Sequence, residues 1–524
     1  MAELFEDFIK GSETLAPFYN GFPATLFDQP ATLPPWRTDI METMRDFNQG
    51  LGLDCNITGN EHCIITGQQP GLFTGPLFTI YKAVTAIRVA ELYQQRTGQP
   101  CLPVFWVSGD DHDFEEVRSA HILTRNNESL TLRYAPELPD DLGLSVDAFP
   151  MHRVPLSSSL HDCIDLAANA APGSEYKEDV RAFLHQTLDN AISVADWFTV
   201  IMAGLFQDTP LLFFMPHLPT ARRIAADIIR QEIQNPLEST RLLNEAGQRL
   251  EKLGYHAQVV KHPNECNFFL EMGDHRRKVL FESGHFVLPE ENITASPEEM
   301  KSLLDLLPHR FSPNVALRCI VQQLLFPTAA YIGGPGEIAY WAQVRPLFEH
   351  FGQSMPTVYP RARAVLVSAK LNQLRQRFGF SIEDCQRPEE ELLEQALRRI
   401  AKTPTLDALR DRRAPVEDAL RGLADAVAAA DPAPHLKSMT DQWVNQSLQG
   451  MNRIERILLL ADHKQTEATR KQVDRLRTSL APDRKPQERV YSIVSFLFAQ
   501  GPELIPRLMD SLNVESFALN EVEL

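Results

Sequence analysis

"CIITGQQPGLFTGPLFTIYKAV" occupies Cys63–Val84, and its pattern decides the fold. With His62, its first residues form the short apolar run "HCIIT" (62–66), which predicts a buried strand. Gly67, Gly71 and Gly75 then crowd into one turn with Pro70 and Pro76. From Gly75 to Gly98 the apolar positions Leu77, Ile80, Val84, Ile87 and Leu92 follow a helical period. Pro76 suits the first turn of that helix and Gly98 its exit. The next segment, "CLPVFWVSG" (101–109), is continuously apolar, as a strand buried on both faces must be. Strand, glycine turn, helix and strand make a βαβ unit, so the fold class is α/β with a parallel sheet.

Further strands are predicted at "TPLLFFM" (209–215), "TAAYIGG" (328–334) and "PTVYP" (356–360), with helices at about 219–233 and 336–352. The less regular stretches 121–190 and 240–310 read as insertions, the second holding a hairpin at "HRRKVLFESGHFVL" (275–288). Beyond Leu366 the chain turns helical. Residues 389–430 are rich in Leu, Ala, Glu and Arg, and "DPAPH" (431–435) breaks them. A second long helix is predicted over about 436–481, with Leu448, Met451, Ile454, Leu458, Ala461, Val473, Leu476 and Leu480 along its seam. The seam turns polar near Gln465, which favours an antiparallel helical pair over an uninterrupted zipper.

A chain of 524 residues implies two to four domains. The net charge of −18 repels phosphate backbones and argues against nucleic acid as a partner. Seven cysteines without a CxxC pair fit a reducing cytoplasm and no thiolate metal site. The acidic start "MAELFEDFIKG" is unlike a signal peptide, and no apolar run approaches the ~18 residues of a membrane span. A cytoplasmic protein is expected.

Three strand-to-helix turns carry the chemistry. The first, Gly67–Gly75, matches neither GxxxxGK[ST] nor GxGxxG. It stands at the first βα crossover, where open α/β sheets bind ligands. Gly67, Gly71 and Gly75 let the backbone approach a ligand, Gln68, Gln69 and Thr74 add hydrogen-bonding groups, and a helix start at about Thr74–Leu77 offers free N–H groups. Packing alone is the competing explanation. The second, "SGDDHDFEEV" (108–117), places Asp110, Asp111 and His112 after a buried strand. These acids could bind Mg²⁺, hold a substrate amine, or pair with His112 in acid–base work; Asp111 and His112 are the catalytic candidates. Glu115 and Glu116 suit the first turn of a helix. The third, "YIGGPGEIAYWAQ" (331–343), offers Gly333, Gly334, Gly336 and Glu337. Upstream, "SPNVALRC" (312–319) adds Asn314 and Arg318, the latter suited to a carboxylate or phosphate.

These blocks, together with the closing "ERVYSIVSFLFAQGPELIPRL", closely resemble the bacillithiol-biosynthesis cysteine-adding enzyme family, BshC. The resemblance covers roughly 60–520. It implies a Rossmann-like, nucleotidyltransferase-type core in three pieces (1–120, 201–240 and 311–365). Connecting-peptide insertions lie at 121–200 and 241–310. A helical coiled-coil arm (366–485) mediates a homodimer, and a helical tail (486–524) follows. The implied reaction adds L-cysteine to the amine of glucosaminyl-malate to form an amide. Cysteine, glucosaminyl-malate and a nucleotide are then the small-molecule partners. No cofactor is tightly bound, no metal is resident, and ATP with Mg²⁺ is the candidate co-substrate, through an aminoacyl-adenylate. The Gly67–Gly75 turn would cradle phosphate or the reacting carboxylate. "YPRARAV" (359–365), with Arg361 and Arg363, is the nearest basic stretch to a second class I signature. Two alternatives stay open: another ATP-dependent amide-forming ligase, and a coiled-coil scaffold with a nucleotide-sensing core.

Overall fold

The computed structural model describes residues 2–28, 32–136, 149–401, 403–431 and 434–524. Residues 137–148 of the first insertion and 432–433 of the "DPAPH" break lie outside them. Two compact units form. One comprises Met1–Arg125, Leu130–Val365 and Glu488–Val522; the other comprises Asn126–Ser129, Leu366–Gln487 and Glu523–Leu524.

In the first unit the principal elements are β1 (His62–Gln68), α1 (Phe78–Thr97), β2 (Cys101–Val107), β3 (Leu212–Phe214), α2 (Pro219–Gln234), α3 (Glu238–Lys252), β4 (Glu265–Met272), β5 (His275–Glu282), β6 (His285–Leu288), β7 (Ile293–Ala295), β8 (Phe311–Pro313), α4 (Val315–Leu325), β9 (Thr328–Gly333), α5 (Pro335–His350) and β10 (Thr357–Pro360). The core sheet runs β10-β9-β1-β2-β3 with every neighbouring pair parallel. From β1 the chain builds outward through β2 and β3. It then returns to the other side of β1 for β9. That reversal makes the carboxyl ends of β1 and β9 a topological switch point, where a crevice opens. Both strands are buried throughout their apolar length, which explains their unbroken hydrophobic runs. Helix α1 is buried almost all round, including Thr79, Lys82 and Thr85, so its weak amphipathic pattern is that of a core helix.

The glycine turn differs from expectation in one respect. Helix α1 starts at Phe78, one residue beyond the expected Thr74–Leu77. Phe73, Thr74 and Gly75 hold positive φ angles of 51°, 69° and 69°. The C-terminal segment covers this turn: Ser492 Oγ donates to Phe73 O at 2.8 Å, and Leu77 N donates to Tyr491 O at 2.8 Å. The N–H groups expected to be free for a ligand are therefore partly spent within the protein.

The strands β8-β4-β5-β6-β7 form a second, antiparallel sheet. It packs Phe268, Phe286 and Phe311 against Ile229 and Ile233 of α2. The expected hairpin at 275–288 is β5–β6, turning at Ser283 and Gly284. Through β8 this sheet hands the chain directly to α4.

The second unit contains α6 (Ala369–Phe378), α7 (Glu389–Ile400), α8 (Pro404–Ala430), α9 (Pro434–Leu460) and α10 (His463–Leu480). The single helix predicted over 436–481 is two, because Asp462 accepts from Gln465 N at 3.0 Å and caps a new helix. Likewise 389–430 divides where Thr403 caps α8. Helices α8 and α9 run as a paired hairpin. Its root is a buried Glu455 that receives Arg398 at 2.5 Å and Arg413 at 3.2 Å, beside Leu393, Leu397 and Leu459. Among the described residues no helix is long and apolar enough to cross a membrane.

Gly67 is required by sheet packing. A Cβ there would stand 2.7 Å from Trp106 O on the adjacent β2. Gly67→Ala is expected to cost about 2 kcal/mol, the usual scale of overpacking against rigid backbone. Chemical denaturation at neutral pH measures it, and an unchanged midpoint would refute the steric assignment.

Candidate active site

A cavity of about 450 Å³ opens at the switch point between β1 and β9. Gly67, Gln68 and Gln69 enter it from the end of β1, and Ser108, Asp110 and Asp111 from the loop after β2. Arg276 comes from β5. Asn314 and Arg318 come from the start of α4. Tyr331, Gly334, Gly336, Glu337 and Tyr340 come from β9 and α5. Arg361 follows β10, and Arg489 arrives on the C-terminal segment.

The floor is an ion pair. Lys82 Nζ lies 2.5 Å from Glu337 Oε2 and donates to Gly67 O at 2.7 Å and Gln68 Oε1 at 2.9 Å. Glu337 also accepts from Tyr331 Oη at 2.5 Å and from Gly334 N at 2.9 Å, closing the first turn of α5. Burial alone would raise the Glu337 carboxyl, but the Lys82 charge and these donors hold it below its ordinary value. Burial pushes the Lys82 amine down, against the pull of Glu337. A second buried pair, Arg361 with Glu488 at 2.8 Å, ties the exit of β10 to the C-terminal segment.

The other cations stand farther from their counter-charges, with Asp110 and Asp111 acting on Arg276 and Glu337 on Arg318. Arg276 donates to Ser312 Oγ at 2.8 Å and Pro313 O at 2.6 Å, over the face of Phe269. Arg318 donates to Tyr340 Oη at 2.7 Å and lies over Tyr331. Among the described residues, neither guanidinium has a carboxylate within 4.0 Å, and Arg489 has no side-chain partner.

Of the residues predicted from the sequence, the cavity brings together Gly67, Gln68, Gln69, Asp110, Asp111, Asn314, Arg318, Gly334, Gly336 and Glu337. It leaves out Gly71, Thr74, Gly75, Gly333 and His112. A Cβ at Gly71 would meet Gly75 Cα at 2.9 Å, so these two glycines serve the turn's own closure. Thr74 is fully buried. Gly333 is enclosed at the end of β9, its carbonyl accepting from Arg361 N. Asn314 lines the cavity, yet its Oδ1 caps α4 through Ala316 N and Leu317 N, and its Nδ2 donates to Asn267.

Asp111 and His112 lie close together without a hydrogen bond between their side chains. His112 Nδ1 is 3.9 Å from Asp111 Oδ1 and 3.3 Å from Arg276 Nη1. Burial, with Arg276 alongside, pushes the imidazole below its ordinary value, so the neutral ring accepts from the guanidinium. Asp111 instead accepts from Gln69 Nε2 at 2.8 Å and from His112 N at 2.7 Å. Asp113, Glu115 and Glu116 serve a short helix, with Asp113 accepting from Glu116 N.

Sequence reasoning missed Lys82, Arg276 and Arg489. Lys82 sits inside a helical pattern, where a lysine two turns from the turn looks remote. Arg276 belongs to an inserted hairpin and Arg489 to the tail, and no local pattern links either to β1. Among the described residues no group of three or more His, Cys, Asp or Glu side chains is arranged to hold a metal ion.

Comparisons with known proteins agree along the whole chain. The model of the BshC N-terminal Rossmann-like domain matches residues 1–362, and that of the BshC C-terminal coiled-coil domain matches 364–524. A relative from Salinibacter ruber, named "Putative cysteine ligase BshC", is 32% identical and aligns over 98% of this chain and 95% of its own length. A relative of the same name from Symbiobacterium thermophilum is 32% identical over 91% of this chain and 88% of its own. A solved Campylobacter jejuni chain described as a "putative arginyl t-RNA synthetase" is 9% identical over 87% of this chain and 98% of its own; its TM-score of 0.23 carries no argument.

The Lys82–Glu337 pair sets a pH dependence. The folded Glu337 carboxyl lies below its unfolded value of about 4.3, so its stabilisation is complete above that value and is lost as pH falls through the folded one. Glu337→Gln strands a buried ammonium and is expected to cost about 3 kcal/mol at pH 7. Urea titrations of both chains should show the gap closing at acid pH. A gap that persists there would show that the cost is not electrostatic.

Proposed function

The chain belongs to the BshC family of bacillithiol biosynthesis, and on that premise we propose that it is a ligase joining L-cysteine to the amine of glucosaminyl-malate through an amide bond. One observation carries the reading: Arg276 and Arg318 line one cavity without a carboxylate partner among the described residues. A guanidinium whose nearest carboxylates stand beyond ion-pair distance is only partly compensated, and an anionic ligand completes that compensation. Guanidinium forks match carboxylate geometry, and the malyl group brings two carboxylates. Arg489 at the cavity wall adds a third positive group.

Amide formation at a carboxylate requires activation, which ATP would supply as a co-substrate. Mg²⁺ would travel with its phosphates. Asp110 offers the hard oxygen donor that ion prefers. Asp111, half-exposed and oriented by Gln69, is the group in the cavity best placed to accept the proton lost by the attacking amine.

The second unit supports a homodimer. Met439, Trp443, Ile454 and Ile457 share one face of α9 and are 62%, 44%, 52% and 69% exposed. An apolar stripe of that kind on a helical hairpin suits a second copy of itself.

Incubating the purified protein with glucosaminyl-malate, cysteine and Mg-ATP, with each omitted in turn, tests the activity by mass spectrometry. Product that needs all three, with release of AMP and pyrophosphate, is expected. No product under any condition would overturn the reading. Arg318→Met is expected to lower kcat/KM by about 100-fold, the scale of a lost charge-assisted hydrogen bond of ~3 kcal/mol. For the dimer, Trp443→Glu with Ile457→Glu should halve the mass seen by light scattering, and a wild-type chain that is already monomeric would refute it.

A further inference from the structure

The ammonium of Lys82 decides which way Gln68 faces. An ammonium has three donors and no acceptor, so every atom it bonds must be an acceptor. Its three partners, Glu337 Oε2, Gly67 O and Gln68 Oε1, use all three protons. The amide oxygen of Gln68 is therefore held against Lys82, and the opposite orientation would set an NH₂ group against an NH₃⁺. The Nε2 group must turn away from Lys82. Gln68 lines the cavity, and its Nε2 has no hydrogen-bond partner among the described residues. Its neighbour Gln69 is different, because its Nε2 is already spent on Asp111 at 2.8 Å and Glu116 at 3.1 Å. The same ammonium is bound to Glu337 in the first turn of α5. It therefore fixes the end of β1 against the start of α5, whose Gly336 lines the same cavity.

We propose that Gln68 is a catalytic residue that donates from Nε2 to the oxyanion formed during acyl transfer, and that Lys82 is its positioning residue. This rests on the ligase reading above. In the step concerned, the amine lone pair of the acceptor attacks the carbonyl carbon of cysteine held as a mixed anhydride with phosphate. The carbonyl π electrons move to oxygen, and that oxyanion receives the Gln68 hydrogen bond. The nitrogen gives its proton to Asp111. Collapse restores the C=O bond, and the bond to the phosphate oxygen breaks with its electron pair on the leaving group. A neutral, fixed donor suits this task, since it strengthens as charge develops and needs no reorganisation. The Lys82–Glu337 ion pair as a whole carries no net charge.

Gln68→Glu keeps the size and the acceptor that holds Lys82 but loses the donor; Gln68→Met loses both. Kinetics of the full-length chain with glucosaminyl-malate, cysteine and Mg-ATP should show kcat falling about 100- to 1000-fold in both, the scale of a lost oxyanion donor. KM for glucosaminyl-malate should stay within about twofold in Q68M, which adds no charge to the cavity and which a merely structural loss would not respect. An active wild type with unchanged kcat in Q68E would overturn the inference and leave the ligase reading standing. An inactive wild type would sink the ligase reading instead, and a second arm then decides on Gln68. Calorimetry with inorganic phosphate, a tetrahedral oxyanion, should show binding weakened at least tenfold in Q68M. Equal binding by wild type and Q68M, or none by wild type, would overturn the inference whatever the assay gave.

Discussion

The ion pair between Lys82 and Glu337 is the interaction on which the site depends. It lies under the crevice, and it joins the helix that follows β1 to the helix that follows β9. Taking both charges out of water is expensive, and their attraction alone would barely compensate. The surrounding groups change that balance. Gly67 O and Gln68 take the remaining ammonium protons, while Tyr331 and Gly334 N occupy the carboxylate. With every donor and acceptor matched, the pair acts as a fixed joint and not as a liability.

A second constraint comes from the far end of the chain. Glu488 meets Arg361 deep in the first unit and also accepts from Ala364 N. The residues after it close over the glycine turn through Tyr491 and Ser492. Anchoring Glu488 also fixes where its neighbour Arg489 emerges. The antiparallel sheet contributes in the same manner, since β5 carries Arg276 and β8 delivers the capped start of α4. The parallel sheet, the antiparallel sheet and the C-terminal segment each supply one wall, so the cavity forms only when all three are folded together.

Two kinds of glycine meet in the Gly67–Gly75 turn, and the structure separates them. Gly67 borders the cavity, yet it is a glycine because β2 leaves no room for a Cβ. Gly75 takes a positive φ beneath the C-terminal segment, and Gly71 is extended but has no room for a Cβ against Gly75. The side chains of the motif that line the cavity are those of the glutamines, Gln68 and Gln69. The cluster "DDHD" divides similarly. Asp110 and Asp111 reach the cavity, His112 supports Arg276, and Asp113 caps a helix.

What depends on near neighbours is readable along the chain. The strands at 62–66 and 101–109 were legible because burial on both faces demands unbroken apolar runs. The glycine turn, the Asp110–Asp111 loop and the Glu337 helix start were legible because strand ends followed by polar turns have a local signature. The long helices were legible by periodicity, although the caps at Thr403 and Asp462 divide them. Only the tertiary structure decided which of these residues meet. The pairing of Thr66 with Ile332 joins segments far apart in the chain, and no local pattern encodes it. That pairing buries Lys82 beside Glu337. The folding of an insertion and a tail onto the same crevice then brings in Arg276 and Arg489. The physical reason is one of range: propensity and periodicity act over a few residues, whereas desolvation and charge matching are settled by whatever the fold brings together.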